Sequence, residues 1–239
     1  MENKGLRVQA YAHDVTKQTV YYRWDFDETW EIRSLYPSTY IYDLPTKKIR
    51  PRVFPAEDVQ VCYKYETSST INLANSTKLQ DDIIYKAPVQ FIPSGNEKLS
   101  VRYSILLRQY GLDREAYNFY ELMKKNTEEI GSLFSPQPSE IRGNIRNPND
   151  EKEYVLGYVT ASTVEQQRKF IQVPWHYFML CEVVKVPAHN KDSTLYYFGP
   201  GGPLIPFQYD EPPPYYSGAE PQCVDCTKRG GSVVRPSYW

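Results

Sequence analysis

From residue 99 to residue 108 the chain alternates almost without interruption. Leu99, Val101, Tyr103, Ile105 and Leu107 fall on one phase, with Ser100, Arg102, Ser104 and Arg108 on the other. Successive side chains of a strand point to opposite faces, so a period of two marks a strand with one buried face and one wet face. The pattern recurs. Val20, Tyr22, Trp24 and Phe26 alternate with Tyr21, Arg23, Asp25 and Asp27, and Trp30 and Ile32 follow in phase. Val59, Val61, Tyr63 and Tyr65 alternate with Gln60, Cys62, Lys64 and Glu66. Further strands are predicted over Leu6–Ala12, Ile83–Phe91, Ile141–Arg146, Tyr154–Ala161, Lys169–Val173 and Phe178–Val186. Many short strands separated by turns predict a mainly β chain, an antiparallel β-sandwich of immunoglobulin or fibronectin type.

One segment departs from that period. Asp113 can cap a helix, and Glu115 suits the positive end of its dipole. Ala116, Tyr117, Phe119, Tyr120, Met123 and Ile130 then form a broad apolar stripe, and Gly131 fits the position just past a helix end. A single amphipathic helix over Arg114–Ile130 is expected, inserted in the sandwich and covering its core. Pro and Gly gather at Ser135–Pro138, Gly199–Pro203 and Glu211–Pro214. Proline lacks an N–H and fixes φ, so these runs interrupt ladders. The expected organisation is a β domain over 1–210, with the helix near 114–130, and an irregular Pro/Gly-rich tail over 211–239 packed on it by a disulfide.

The chain has 239 residues, enough for a sizeable core, and 28 Lys+Arg nearly balance 29 Asp+Glu. Such a balance lacks the basic footprint of a nucleic-acid binder. No run approaches the roughly 18 apolar residues of a transmembrane helix. The opening MENKGLRVQAYA is polar and then alternating, and does not read as a secretory leader.

Catalytic and metal patterns are sparse. His13, His176 and His189 show no metal-ligand spacing, and no G-x-S-x-G elbow or P-loop appears. Neither a cofactor nor a metal is expected. Asp25, Asp27 and Glu28 share one short stretch and would be the carboxylates of a hydrolase, if they converged in a pocket. A solvated face is the commoner fate of such a run. The chain is rich in tyrosine, with 22. Tyr36, Tyr40, Tyr42, Tyr215 and Tyr216 lie in turn-like stretches and are the candidate ligand-binding rings for a peptide or glycan. Cys62, Cys181, Cys223 and Cys226 are the disulfide candidates, an even count that suits an oxidising compartment. Four cysteines allow three connectivities. Pairing of a tail cysteine with Cys181 would pin the tail to the body.

Four stretches carry a resemblance: YYRWDFDETWEIRSLYPS at Tyr21–Ser38, CYKYETSSTINLANSTKL at Cys62–Leu79, residues Lys98–Asn147, and CVDCTKRGGSVVRPSYW at Cys223–Trp239. Together they resemble a Bacteroidota family of envelope lipoproteins known as domain of unknown function 4249. The resemblance implies a lipoprotein signal and a first immunoglobulin-like β domain ahead of this region, neither of which appears in this sequence. Outer-membrane anchoring would then belong to a longer parent. It also implies a TonB-dependent outer-membrane transporter as partner. The resulting expectation is a non-enzymatic accessory lipoprotein module that assists nutrient binding or uptake. The alternatives are a structural envelope-assembly protein, whose Pro-rich tail docks on a partner, and an envelope hydrolase.

Overall fold

A computed structural model describes residues 4–16, 18–79, 81–128, 141, 143–150, 155, 157–173 and 175–239. The chain is mainly β, with antiparallel sheets and few helices, in keeping with the β-sandwich class. Its residues group into two compact units built from interleaved segments. The first comprises Met1–Glu28, Thr67–Ile92 and Ile105–Lys169, and the second Thr29–Glu66, Pro93–Ser104 and Phe170–Trp239.

The strongly alternating segments are strands: β1 (Gly5–His13), β2 (Tyr21–Arg33), β5 (Val61–Thr67), β7 (Ile83–Pro93) and β8 (Arg102–Leu112). Shorter strands fill the sequence between them, namely β3 (Tyr40–Asp43), β4 (Lys48–Pro51) and β6 (Asn72–Asn75). β9 (Thr163–Ile171), β10 (Val184–Pro187), β11 (Ile205–Asp210) and β12 (Tyr215–Ala219) follow. One sheet has the order β5-β2-β8-β9, with β6 also pairing β2.

In the first unit, β1 and β7 form a two-stranded sheet. Ala10, Ala12, Tyr22, Trp24, Phe26, Ile84, Ala87, Val89, Ile92 and Ile105 are buried, as the period of two requires. β6 pairs antiparallel with the start of β2, setting Tyr22 opposite Ala74 and Trp24 opposite Asn72. The helix, α1, runs over Arg114–Glu128. The Asp113 carboxylate accepts from the Ala116 N–H at 2.7 Å, the capping bond expected of that residue. Leu112, Ala116 and Tyr117 form a buried cluster with Tyr21, Leu73, Tyr110, Tyr120 and Tyr158 against it. The apolar stripe of α1 therefore covers its own unit. Ile130, Gly131 and Ser135–Pro138 lie outside the described residues.

In the second unit, β12 is the middle strand of an antiparallel sheet ordered β10-β12-β11. This corrects the expectation of an irregular region after residue 210. The prolines of Glu211–Pro214 make the turn of a β11–β12 hairpin, where missing N–H groups cost no ladder bond, and pairing resumes at Tyr215. β3 and β4 form a second hairpin. Two further helices, α2 (Lys191–Phe198) and α3 (Pro221–Val224), join the one expected. Asn190 caps α2 by accepting from the Ser193 N–H at 3.0 Å. Phe198 at its end is buried with Val186 and Leu204.

Four strand assignments shift. No described residue of 141–146 or 154–161 lies in an extended strand; instead the Asn144 side chain donates to the Val159 carbonyl at 2.7 Å and accepts from its N–H at 2.8 Å. One amide thus takes the place of a paired backbone. The strand expected at Lys169–Val173 begins earlier, at Thr163. Of Phe178–Val186 only the end, from Val184, enters a strand.

Candidate functional site

Strand alternation decides the fate of the three carboxylates on β2. Asp25 and Asp27 share one face, and Glu28 falls on the other, buried among core residues. Arg108 on β8 spans the first two, with Nε 2.6 Å from Asp25 and Nη1 2.6 Å from Asp27. Arg23 reaches Asp25 at 3.2 Å, its guanidinium lying over the rings of Tyr110 at 4.3 Å and Tyr120 at 4.7 Å. Thr67 donates to Asp27 at 3.0 Å. The Arg108 guanidinium is raised further above its ordinary range, chiefly by its bonds to Asp27 and Asp25. Glu28 accepts from the Gln90 amide at 3.4 Å. The three carboxylates do not converge. Two are locked in an ion-pair ladder and the third lies across the strand.

The five candidate tyrosines all lie in the second unit and all are half-buried. Tyr36 stacks on Phe207 with ring centroids 4.4 Å apart and planes 4° from parallel. Its hydroxyl donates to the Cys181 carbonyl at 3.1 Å, and its N–H to the Cys223 carbonyl at 3.0 Å. Tyr36 is thereby a brace around a disulfide. Tyr42 packs against the cluster of Val186, Phe198 and Leu204. Tyr40 and Tyr216 come together edge to face at 6.0 Å, and Tyr209 joins them 5.0 Å from Tyr216. Burial raises the Tyr216 phenol above its ordinary range, with Tyr40 adding to the effect. The Tyr209 phenol is pushed up to about 12 by its bond to Glu211. Tyr215 carries the Lys185 ammonium 4.5 Å over its ring.

The cysteines form two disulfides, Cys62–Cys226 and Cys181–Cys223. Cys223 does pair with Cys181, and the second bond ties Cys226 to β5. The two halves of the C-x-x-C thus join different strands of chain rather than each other. Gly231 passes so close to the first bond that a Cβ there would sit 2.5 Å from the Cys62 Cβ, so only glycine fits. Beyond it, Ser232 and Tyr63 exchange backbone hydrogen bonds at 2.8 and 2.9 Å. Tyr238 shares a hydrogen bond with Thr29 at 2.7 Å. The Arg102 guanidinium lies over the rings of both Phe170 and Trp239, at 4.4 and 5.1 Å. Residues 211–239 are therefore packed on their own unit.

One feature escaped the sequence pattern. In Tyr177–Val183 the side chains of Met179 and Cys181 pack on the buried cluster of Phe207, Ala219, Cys223 and Val224. Phe178 and Leu180 face outward, 83% and 76% exposed. Both phases of this segment are apolar, so its sequence does not say which phase is outside. Only the Cys181 disulfide identifies the inner one.

The described residues contain no group of three or more His, Cys, Asp or Glu placed to hold a metal ion. No described helix is long and apolar enough to cross a membrane. Fold and side chains together define a mainly β, antiparallel, doubly disulfide-bonded protein that carries an outward-facing apolar pair.

The chain belongs to the family described as Domain of unknown function (DUF4249), whose model matches residues 2–168. That span holds β1 to β8, α1 and most of β9, and it includes Cys62 but not the other three cysteines. No curated protein and no solved structure matches the chain.

Proposed function

We propose that this chain is a non-enzymatic module of an outer-membrane accessory lipoprotein, and that the full-length parent works with a TonB-dependent transporter in nutrient binding or uptake. Phe178 and Leu180 carry this reading. Exposed large apolar side chains gathered in one segment suit a contact surface. The Cys181–Cys223 bond and the Tyr36 hydrogen bond to the Cys181 carbonyl at 3.1 Å anchor the backbone beside them, which lowers the ordering cost of docking. The occupant proposed for them is the transporter. The two disulfides support an oxidising location. Family membership supports the transporter as partner through the resemblance described above.

The test is affinity purification of the tagged, lipidated parent from native outer membranes in mild detergent, with partners identified by mass spectrometry. A single transporter should be recovered in stoichiometric amount, and Phe178→Asp with Leu180→Asp should release it while the protein stays folded. Recovery of the lipoprotein alone, from membranes rich in TonB-dependent transporters, would overturn the proposal.

A further inference from the structure

The first unit holds a groove of about 490 Å³, lined by Gln9, Ala10 and Tyr11 of β1, Leu107 and Gln109 of β8, and Glu165–Gln167 of β9. Its volume is in the range of ligand clefts, roughly 300–1,000 Å³. We infer that this groove binds a neutral, polyhydroxylated ligand, a segment of an uncharged oligosaccharide. The inference supplies a ligand class for the binding module proposed above and rests on that reading.

Each wall follows from the local fold. Along β1 the phase of Ala10 and Ala12 is buried, so Gln9 and Tyr11 occupy the opposite, exposed face. Tyr11 is 57% exposed. It meets Tyr85 of β7 edge to face, with centroids 6.5 Å apart, which supports the ring while leaving much of it in water. β9 stands last in its sheet order, and its residues 163–167 are exposed on both phases. A strand usually hides one face; here both are exposed, and Glu165, Gln166 and Gln167 line the groove.

Gln109 is oriented by chemistry rather than by fit. The indole N–H of Trp24 can only donate, and it lies 2.9 Å from Gln109 Oε1. The amide oxygen is thereby engaged, and the NH₂ group remains as the donor at the groove. Gln9 and Gln167 each offer a donor and an acceptor, and Glu165 offers acceptors only. Among the described residues, no side-chain hydrogen bond or ion pair occupies these three.

This set selects among ligand classes. A sugar hydroxyl both donates and accepts, so neighbouring hydroxyls match a carboxamide, and a carboxylate takes two donors. The apolar C–H face of a pyranose suits an exposed tyrosine ring. An anionic ligand would meet Glu165 with no Arg or Lys in the lining. A peptide read by its side chains needs apolar pockets, and the only large aliphatic side chain here is Leu107. An apolar ligand would strip water from the carboxamides without replacing its hydrogen bonds.

The full chain, labelled with ¹⁵N, should be titrated separately with maltohexaose, cellohexaose and xylohexaose, with tetragalacturonate as the anionic comparison. At least one neutral oligosaccharide should give saturable shifts at residues 9–11, 107–109 and 165–167. Tyr11→Ala and Gln167→Ala should each weaken binding by about tenfold with an unchanged unfolding midpoint, as expected for loss of one aromatic or bidentate contact. Saturation by none of the three would overturn the inference and make β9 a solvated edge strand. Binding that Tyr11→Ala leaves intact, or a preference for tetragalacturonate, would overturn it equally. None of these failures touches recovery of the transporter with Phe178 and Leu180, so the two proposals fall separately.

Discussion

Trp24 donates its indole N–H to Gln109 Oε1 at 2.9 Å, joining neighbouring strands β2 and β8 within the first unit. Trp24 is buried, so its N–H has little access to water. Gln109→Leu should strand that donor and cost about 1–3 kcal/mol, measured by urea unfolding. Gln109→Glu keeps an acceptor and should cost less. Equal losses in both variants would mean that packing, and not the hydrogen bond, sets the value of this position.

The Arg108 ladder makes a second prediction. Arg108→Met removes the cation between Asp25 and Asp27, whose side chains are about four-fifths buried. The loss should be on the order of 1–3 kcal/mol, between that of a surface pair and that of a fully buried one. Asp27→Asn in the same chain should recover part of it, because one of the two opposed charges is then gone. A double variant no more stable than Arg108→Met would sink the repulsion account.

Glu57 supplies a pH dependence. Arg50 grips its carboxylate through two bonds of 2.8 Å, and the Val53 N–H adds a third at 2.8 Å. The Arg50 bond leads in lowering the Glu57 carboxyl from 4.5 to about 2. A carboxyl depressed in the folded state adds stability that is present above its unfolded value and lost as pH falls through the folded one. The contribution of Glu57 should therefore fade from pH 4.5 towards 2. A ¹³C titration of the Glu57 carboxyl should show the low midpoint, and Arg50→Met should return it to the ordinary range. An unchanged midpoint in the variant would remove Arg50 as the cause.

Removal of either disulfide should destabilise the fold by about 2–4 kcal/mol. The Cys62–Cys226 bond spans 164 residues and the Cys181–Cys223 bond 42, so the loop-closure argument gives the first the larger effect. Denaturation of Cys62→Ser/Cys226→Ser beside Cys181→Ser/Cys223→Ser gives the order directly. The reverse order would place the stabilisation in local packing around Tyr36 and Phe207 instead.

The strands legible in the sequence are those with one apolar phase, such as β2 and β8, where burial of Trp24, Phe26, Tyr103 and Ile105 writes the period into the chain. β3, β4 and β6 have four residues each, too short to show a period. They form because a partner strand supplies the ladder. β12 reads YYSGA, with no alternation, and its place comes from β10 and β11 on its two sides. The capping Asp113 was legible because a cap is local. The pairing of Cys223 with Cys181 was reachable, but that of Cys226 with Cys62 depends on long-range chain course. The tyrosines were visible as a type but not in their contacts; nothing near Tyr36 in sequence announces Phe207. The groove drew no signal at all, since the first half of β9 is exposed on both phases and shows no alternation.

The C-x-x-C sends one sulfur to residue 62 and the other to residue 181, and this changes how a broken chain would behave. A single backbone cut at any peptide bond between Cys62 and Cys226 leaves both pieces bound through sulfur. A protease-nicked sample would run as intact protein on a gel without reductant and split into two bands with it. The chain could thus carry a severed backbone and keep its whole mass together.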